Sequence, residues 1–202
     1  MTRPYIVGLG GTTRLGSSTE KALSLCLKAA AESGADTLLL CGSDLDLPAY
    51  TPGRVPVPAA KRLIAEVRKA DGIILGTPGY HGGISGLVKN ALDYIEELKT
   101  DGRPYLDGRP VGCIVTAAGE QGAVTTLNAL RSVVHALRGW PTPLGAAIVT
   151  SDRLFDEDGS CLSSRVEAQL KIISQQVLDF ALTQIDNTDQ FEGRARSGLA
   201  LG

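Results

Sequence analysis

Five short, almost wholly apolar runs recur along the chain, each followed by a longer segment with helical spacing. The runs cover residues 5–10, 36–42, 72–78, 111–117 and 145–150. A run that is apolar at every position, rather than at alternate ones, is expected of a parallel strand covered on both faces. The intervening segments supply the covers. Residues 18–34 open with a Ser/Thr cap signal and close at Gly34. Residues 58–72 place Leu63, Ile64 and Val67 on one stripe, with Lys61, Arg62, Glu66 and Arg68 largely opposite. Residues 85–99 gather Leu87, Val88, Ala91, Leu92, Ile95 and Leu98 on one side, and 123–139 and 163–185 complete the set. Alternating strand and helix predicts an α/β fold: a doubly wound, five-stranded parallel sheet with right-handed crossovers.

At 202 residues the chain suits one domain, expected over 1–186. From about Asp186 the periodicity is lost, and 187–202 reads as a flexible C-terminal tail. The formal charge of −2 and an aromatic content of 4% give no electrostatic or stacking case for nucleic acid. No apolar run is long enough to span a membrane and no signal-peptide pattern opens the chain, so a cytoplasmic protein is expected. Cys26, Cys41, Cys113 and Cys161 are scattered without a C-x-x-C pair and read as small buried hydrophobes in a reduced protein. His81 and His135 are the only histidines, so no metal site is expected.

In a doubly wound sheet, ligands bind beyond the carboxyl ends of the strands. The loops after the first, third and fourth strands, "GGTTRLGSS", "PGYHGGIS" and "AAGEQGA", are all rich in glycine. The first resembles a phosphate loop, yet a dinucleotide fingerprint lacks its third glycine, since Thr13 stands there. A triphosphate loop fails as well, because Ser17 replaces the required lysine. What remains is a set of hydroxyls, on Thr12, Thr13, Ser17, Ser18 and Thr19, around Arg14 at a helix amino terminus. Free amides, the helix dipole and one guanidinium suit a compact anion. Taken alone, this loop could also be an ordinary glycine turn into a capped helix.

With the later loops included, the chain resembles the NAD(P)H-dependent FMN reductase family of flavodoxin-like flavoproteins. The similar stretches are Gly11-Thr12-Thr13-Arg14-Leu15-Gly16-Ser17, the run from Pro78 through Tyr80, Ser85, Lys89 and Asn90 to Asp93, and the loop from Ala117 to Gly122. The resemblance implies a sheet ordered 2-1-3-4-5 and a bound FMN. It implies that NADPH or NADH gives a hydride to flavin N5, from which electrons pass to a second acceptor: a flavin, a quinone, an azo compound or a metal oxyanion. Thr12, Arg14, Ser17, Ser18 and Thr19 would then take the phosphate. Pro78, Gly79, Tyr80, His81, Gly82 and Gly83 would line the ribityl chain and ring. Ala118, Gly119, Gln121 and Gly122 would close the other side.

No catalytic side chain is expected, since the cofactor carries the redox chemistry. Two departures stand out. Gly83 replaces the usual serine, and Gly79 replaces a larger residue, which implies more room or a more mobile loop. A homodimer or homotetramer is implied, with the helix over 85–99 as candidate interface, and a flavin-dependent monooxygenase as a partner. The alternative is a non-enzymatic, flavodoxin-like electron carrier, against which the near-neutral charge and scarce aromatics argue. Outside the loops, Lys89 and Asp93 read as an i,i+4 pair. Asn90 reads as a cap, a subunit contact or a cofactor contact, and His135 as a structural residue.

Overall fold

Successive residues of the apolar runs point to opposite sides of one sheet, and both sides are buried. The computed structural model describes residues 3–150 and 153–198, with side chains as far as 187. Its strands are β1 (Tyr5–Gly10), β2 (Asp36–Cys41), β3 (Gly72–Tyr80), β4 (Gly83–Ile84), β5 (Pro110–Ala117), β6 (Trp140–Pro141) and β7 (Ala146–Val149). Its helices are α1 (Ser18–Glu32), α2 (Pro58–Lys69), α3 (Gly86–Asp93), α4 (Glu120–Ala136) and α5 (Ser164–Gly198). Ile6, Ile74 and Ile114 pack with Leu23 and Leu27 of α1 and Ile173 and Val177 of α5. Their neighbours Val7, Ile73, Leu75, Cys113 and Val115 pack instead with α2, α3 and α4 through Leu63, Val67, Val88, Leu92, Leu130 and Val134. This alternation is the period-two geometry of a strand, with helices on both faces.

The parallel order is β2-β1-β3-β5, and the last position is shared by β6 and β7. β6 pairs with the start of β5 (Pro110, Val111) and β7 with its end, Ile114 to Ala117. Pro143 sits in the gap, where it has no N–H to give a ladder. Thr142 donates its amide to Val111 O (3.0 Å), and Leu144 turns its own to Gln176 Oε1 (3.1 Å). The five core positions are therefore in the expected order, with the fifth strand broken in two.

Two further differences affect the site. β3 continues through Pro78 to Tyr80 and pairs antiparallel with β4. α4 begins at Glu120, one turn ahead of the expected start, because extended Gly119 (φ −144°) is its N-cap. At the other end of the chain, α5 continues helical from Ser164 to Gly198. The expected boundary after residue 186 thus falls inside this helix, and 199–202 lie outside the described residues.

α3 is followed by a 3₁₀ turn, Tyr94–Leu98, and the apolar side of the pair (Val88, Ala91, Leu92, Ile95, Leu98) is buried in the chain's own core. Lys89 and Asp93 form the expected ion pair, at 2.5 Å. Asn90 clasps the segment between β2 and α2. Its Oδ1 accepts the Tyr50 amide (2.8 Å), and its Nδ2 donates to Leu47 O (3.1 Å) and Pro48 O (3.0 Å). Tyr94 adds a bond from its hydroxyl to Pro48 O (3.0 Å) and an edge-on ring contact with Tyr50.

At the opposite end of the sheet from the glycine loops, Arg109 is buried and donates to Ala70 O (2.8 Å), Arg68 O (2.7 Å) and Tyr105 O (3.2 Å). It thereby satisfies carbonyls at the end of α2 that the helix leaves unpaired. Burial pushes its pKa down to about 10. Cys26 and Cys113 are buried, whereas Cys41 and Cys161 are partly exposed, and all four are free thiols. His135 is exposed on the last turn of α4, not built into the core as its apolar neighbours imply. Among the described residues, no helix is long and apolar enough to cross a membrane, and no His, Cys, Asp and Glu cluster could hold a metal.

Candidate functional site

The phosphate-type loop leaves β1 where β1 and β3 touch. A Cβ on Gly10 would lie 1.8 Å from Gly76 O, so no other residue fits there at φ +144°. The Gly11 amide donates to the same carbonyl at 3.0 Å. Thr12 then closes a local turn, its hydroxyl accepting the Arg14 amide (3.1 Å) and donating to Arg14 O (3.2 Å). Arg14 is exposed, and among the described residues its guanidinium has no hydrogen-bond or ion-pair partner. Ser17 is buried and caps α1, accepting the Glu20 amide at 3.3 Å. Glu20 answers the cap by accepting the Gly16 amide on Oε2, at 3.0 Å. Ser18, half-buried, is the first residue of α1. Thr19 faces inward: it is 1% exposed, and its hydroxyl is 2.6 Å from that of Thr116 on β5.

The second loop is a hairpin. Gly79 pairs with Ile84 and Tyr80 with Gly83, leaving a two-residue turn, His81–Gly82. Both turn residues have positive φ, 52° and 77°, as a type I′ hairpin turn requires. His81 is therefore a turn residue at an exposed tip, and Tyr80 is 55% exposed. The base of the hairpin is fixed by buried hydroxyls. Thr77 donates to Pro78 O (2.9 Å) and accepts the Ser85 amide (3.1 Å), while Ser85 caps α3 through the Val88 amide (3.3 Å). From α4, Thr126 donates to Gly83 O at 3.5 Å. Gly79 does not leave spare room here. A Cβ on it would meet Thr126 Oγ1 at 2.9 Å and Ala117 Cβ at 3.2 Å.

In the third loop, Ala118, Gly119 and Gln121 are exposed and Gly122 is half-buried. Gln121 and Gly122 belong to the first turn of α4, and Gly119 offers that turn no side-chain cap. Its first amides are thus open, at the positive end of a 17-residue helix.

Three ties make one surface of these loops. The Gly11 amide joins the first loop to β3, the Thr19–Thr116 pair joins α1 to the end of β5, and Thr126 joins α4 to the hairpin. Of the candidate phosphate residues, Arg14 and Ser18 are left open, whereas Thr12, Ser17 and Thr19 shape the loop. The arrangement fits a phosphate through backbone amides and one guanidinium more than through a ring of hydroxyls. Thr77, Ser85, Thr116, Thr126 and Glu20 are further site residues. Of these, Glu20 had a sequence signal in the capping pattern Ser17-x-x-Glu20, and Ser85 in its place at the start of an amphipathic run. Two clefts lie beside the surface. One of about 510 Å³ runs between α1, α5 and residues 157–161; the other, about 450 Å³, borders Glu120 and Ala123 under β7.

The model of the family described as "NADPH-dependent FMN reductase" matches residues 4–153. A curated relative, the FMN-dependent NADPH-azoreductase of Staphylococcus aureus (strain USA300), is 36% identical over 125 residues, 59% of this chain. The matched stretch spans 61% of that relative's length. Among solved structures, FerB, a flavoenzyme NAD(P)H:(acceptor) oxidoreductase from Paracoccus denitrificans, superposes with a TM-score of 0.74 at 22% identity. That superposition covers 90% of this chain and 98% of FerB. The apo form of an NADH:FMN oxidoreductase (EMOB) gives a TM-score of 0.67 at 21% identity, covering 89% of each chain. At these identities the two structures bear on the fold alone.

Proposed function

The chain belongs to the NADPH-dependent FMN reductase family, and on that basis we propose that it binds FMN across its three glycine loops. We further propose that it uses NADPH or NADH to reduce a small-molecule acceptor. The observation that carries the proposal is the joining of those loops by three bonds at the carboxyl ends of adjacent strands. When bound, FMN supplies two-electron redox chemistry between the nicotinamide and the acceptor. The chain's own residues hold and orient. The Arg14 guanidinium and those amides between Thr12 and Ser18 that the loop does not use for its own bonds bind the phosphate. The hairpin of Pro78, Gly79, Tyr80, His81, Gly82 and Gly83 forms one wall, stiffened from below by Thr77 and Ser85. Ala118 to Gly122 form the other, and the open first turn of α4 opposes negative charge gathering beside it. No side chain is asked to move a proton.

Azo compounds are the first acceptor class to try, by similarity to the azoreductase relatives; free flavin, quinones and metal oxyanions follow. The reading includes a cytoplasmic protein in which residues 1–186 are the functional unit. It also includes a homodimer or homotetramer. With the apolar side of α3 buried internally, contact through that helix would use its outward polar side, near Lys89 and Asp93. A flavin-dependent monooxygenase is the proposed partner if reduced flavin leaves the protein. The test is direct. Titrating the protein into FMN should quench the flavin's fluorescence or shift its absorption spectrum, and NADPH or NADH should be consumed when FMN and an azo dye are added. The absence of both flavin binding and nicotinamide oxidation, with every acceptor tried, would overturn the proposal.

A further inference from the structure

The Gly16 amide in the phosphate loop is already occupied. Glu20 accepts it at 3.0 Å while its own amide is held by Ser17 Oγ. The charge of Glu20 is also felt at Cys41, which lies beside Gly11, where an added Cβ would stand 3.5 Å from Cys41 Cβ. Burial, followed by the charges of Glu20 and Asp44, pushes the Cys41 thiol up to about 11. The cations do not outweigh the Glu20 charge. Lys21 reaches away to Asp156 O, at 2.5 Å, which leaves Arg14 as the free positive charge of the loop. A flavin phosphate would therefore meet one guanidinium and one carboxylate. A phosphate monoester carries roughly −1.5 to −2 charges at pH 7, so Glu20 would repel it and must also give up the Gly16 amide.

We propose that Glu20 sets this chain's discrimination between phosphorylated and unphosphorylated flavin, holding its affinity for FMN down so that the cofactor exchanges instead of being retained. This rests on the flavin reading above. In the ligand-free protein the same carboxylate has a positive role, since an acid in the first turn stabilises α1 and satisfies an otherwise open amide. Phosphate and Glu20 compete for one place. The competition is specific to charge at the loop, because riboflavin has the same ring and ribityl chain without the phosphate.

Fluorescence titration with FMN and with riboflavin tests this on the wild type and on Glu20→Gln, which keeps the shape and removes the charge. Glu20→Gln is expected to lower the Kd for FMN about tenfold and to leave that for riboflavin within about twofold, as repulsion between close charges predicts. Inorganic phosphate should compete with FMN more effectively on the variant. Glu20→Ala, which frees the Gly16 amide altogether, should shift FMN in the same direction. An unchanged or weaker affinity for FMN in both variants, with binding intact, overturns the role of Glu20 and leaves the flavin reading standing. Equal tightening of FMN and riboflavin overturns it too. If neither flavin binds any of the proteins, the flavin reading itself falls and the proposal with it.

Discussion

The first and second glycine loops are built on opposite plans. The hairpin from Pro78 to Ser85 is held from inside: two ladder pairs, the buried hydroxyls of Thr77 and Ser85, and Thr126 reaching in from α4. The loop from Gly11 to Ser17 is pinned mainly at its ends, by Gly76 O and by the α1 cap. Between them it leaves Arg14 and a run of backbone without partners outside the loop. The hairpin's shape is fixed by its own bonds. The first loop leaves most of its polar groups open, and Glu20 satisfies one of them, the Gly16 amide.

That contrast can be broken at three places. The largest effect is expected where the first loop is pinned. Gly10→Ala forces a methyl into Gly76 O and should cost on the order of 4 kcal/mol or more, or prevent folding, as read by chemical denaturation. Next is the wall. Gly79→Ala should cost about 2 kcal/mol by overpacking against Thr126. The double variant with Thr126→Ala should be more stable than the sum of the single losses, and strict additivity would show that the contact is not the cause. The smallest effect is at the open part of the first loop. Arg14→Ala should leave the denaturation midpoint unchanged, because the side chain is exposed and unpaired. It should weaken FMN by about 1.5 kcal/mol, roughly tenfold. A loss of stability without a loss of FMN affinity would reverse the contrast.

The parts of this molecule that depend on local chemistry were legible in the sequence. Strand runs apolar at every position imply covers on both faces. Ser17 and Ser85 announce helix starts, and glycine marks the loops. The hairpin was not announced, because Pro78 read as the end of the strand. The ladder resumes beyond it because β4 pairs at Gly79 and Tyr80. What could not be read is contact at long range. Thr19 looks like one more phosphate hydroxyl in the sequence, and only the approach of a residue 97 positions away turns it inward. Gly79 likewise reads as spare room until Thr126 is placed above it. The site residues missed (Thr77, Thr116, Thr126) are threonines whose role depends on a partner from another element.

The clasp by Asn90 has a practical consequence. Three of its four hydrogen-bonding positions hold the segment from Leu47 to Tyr50, and an aspartate there would set negative charge against two carbonyls. The segment is thus anchored in its first half, while the arch over residues 51–55 is exposed, with Val55 at 76%. An anchored base under an exposed arch is where chain length can change at little thermodynamic cost. A fluorophore or affinity tag inserted between Pro52 and Arg54 would sit beyond the clasp.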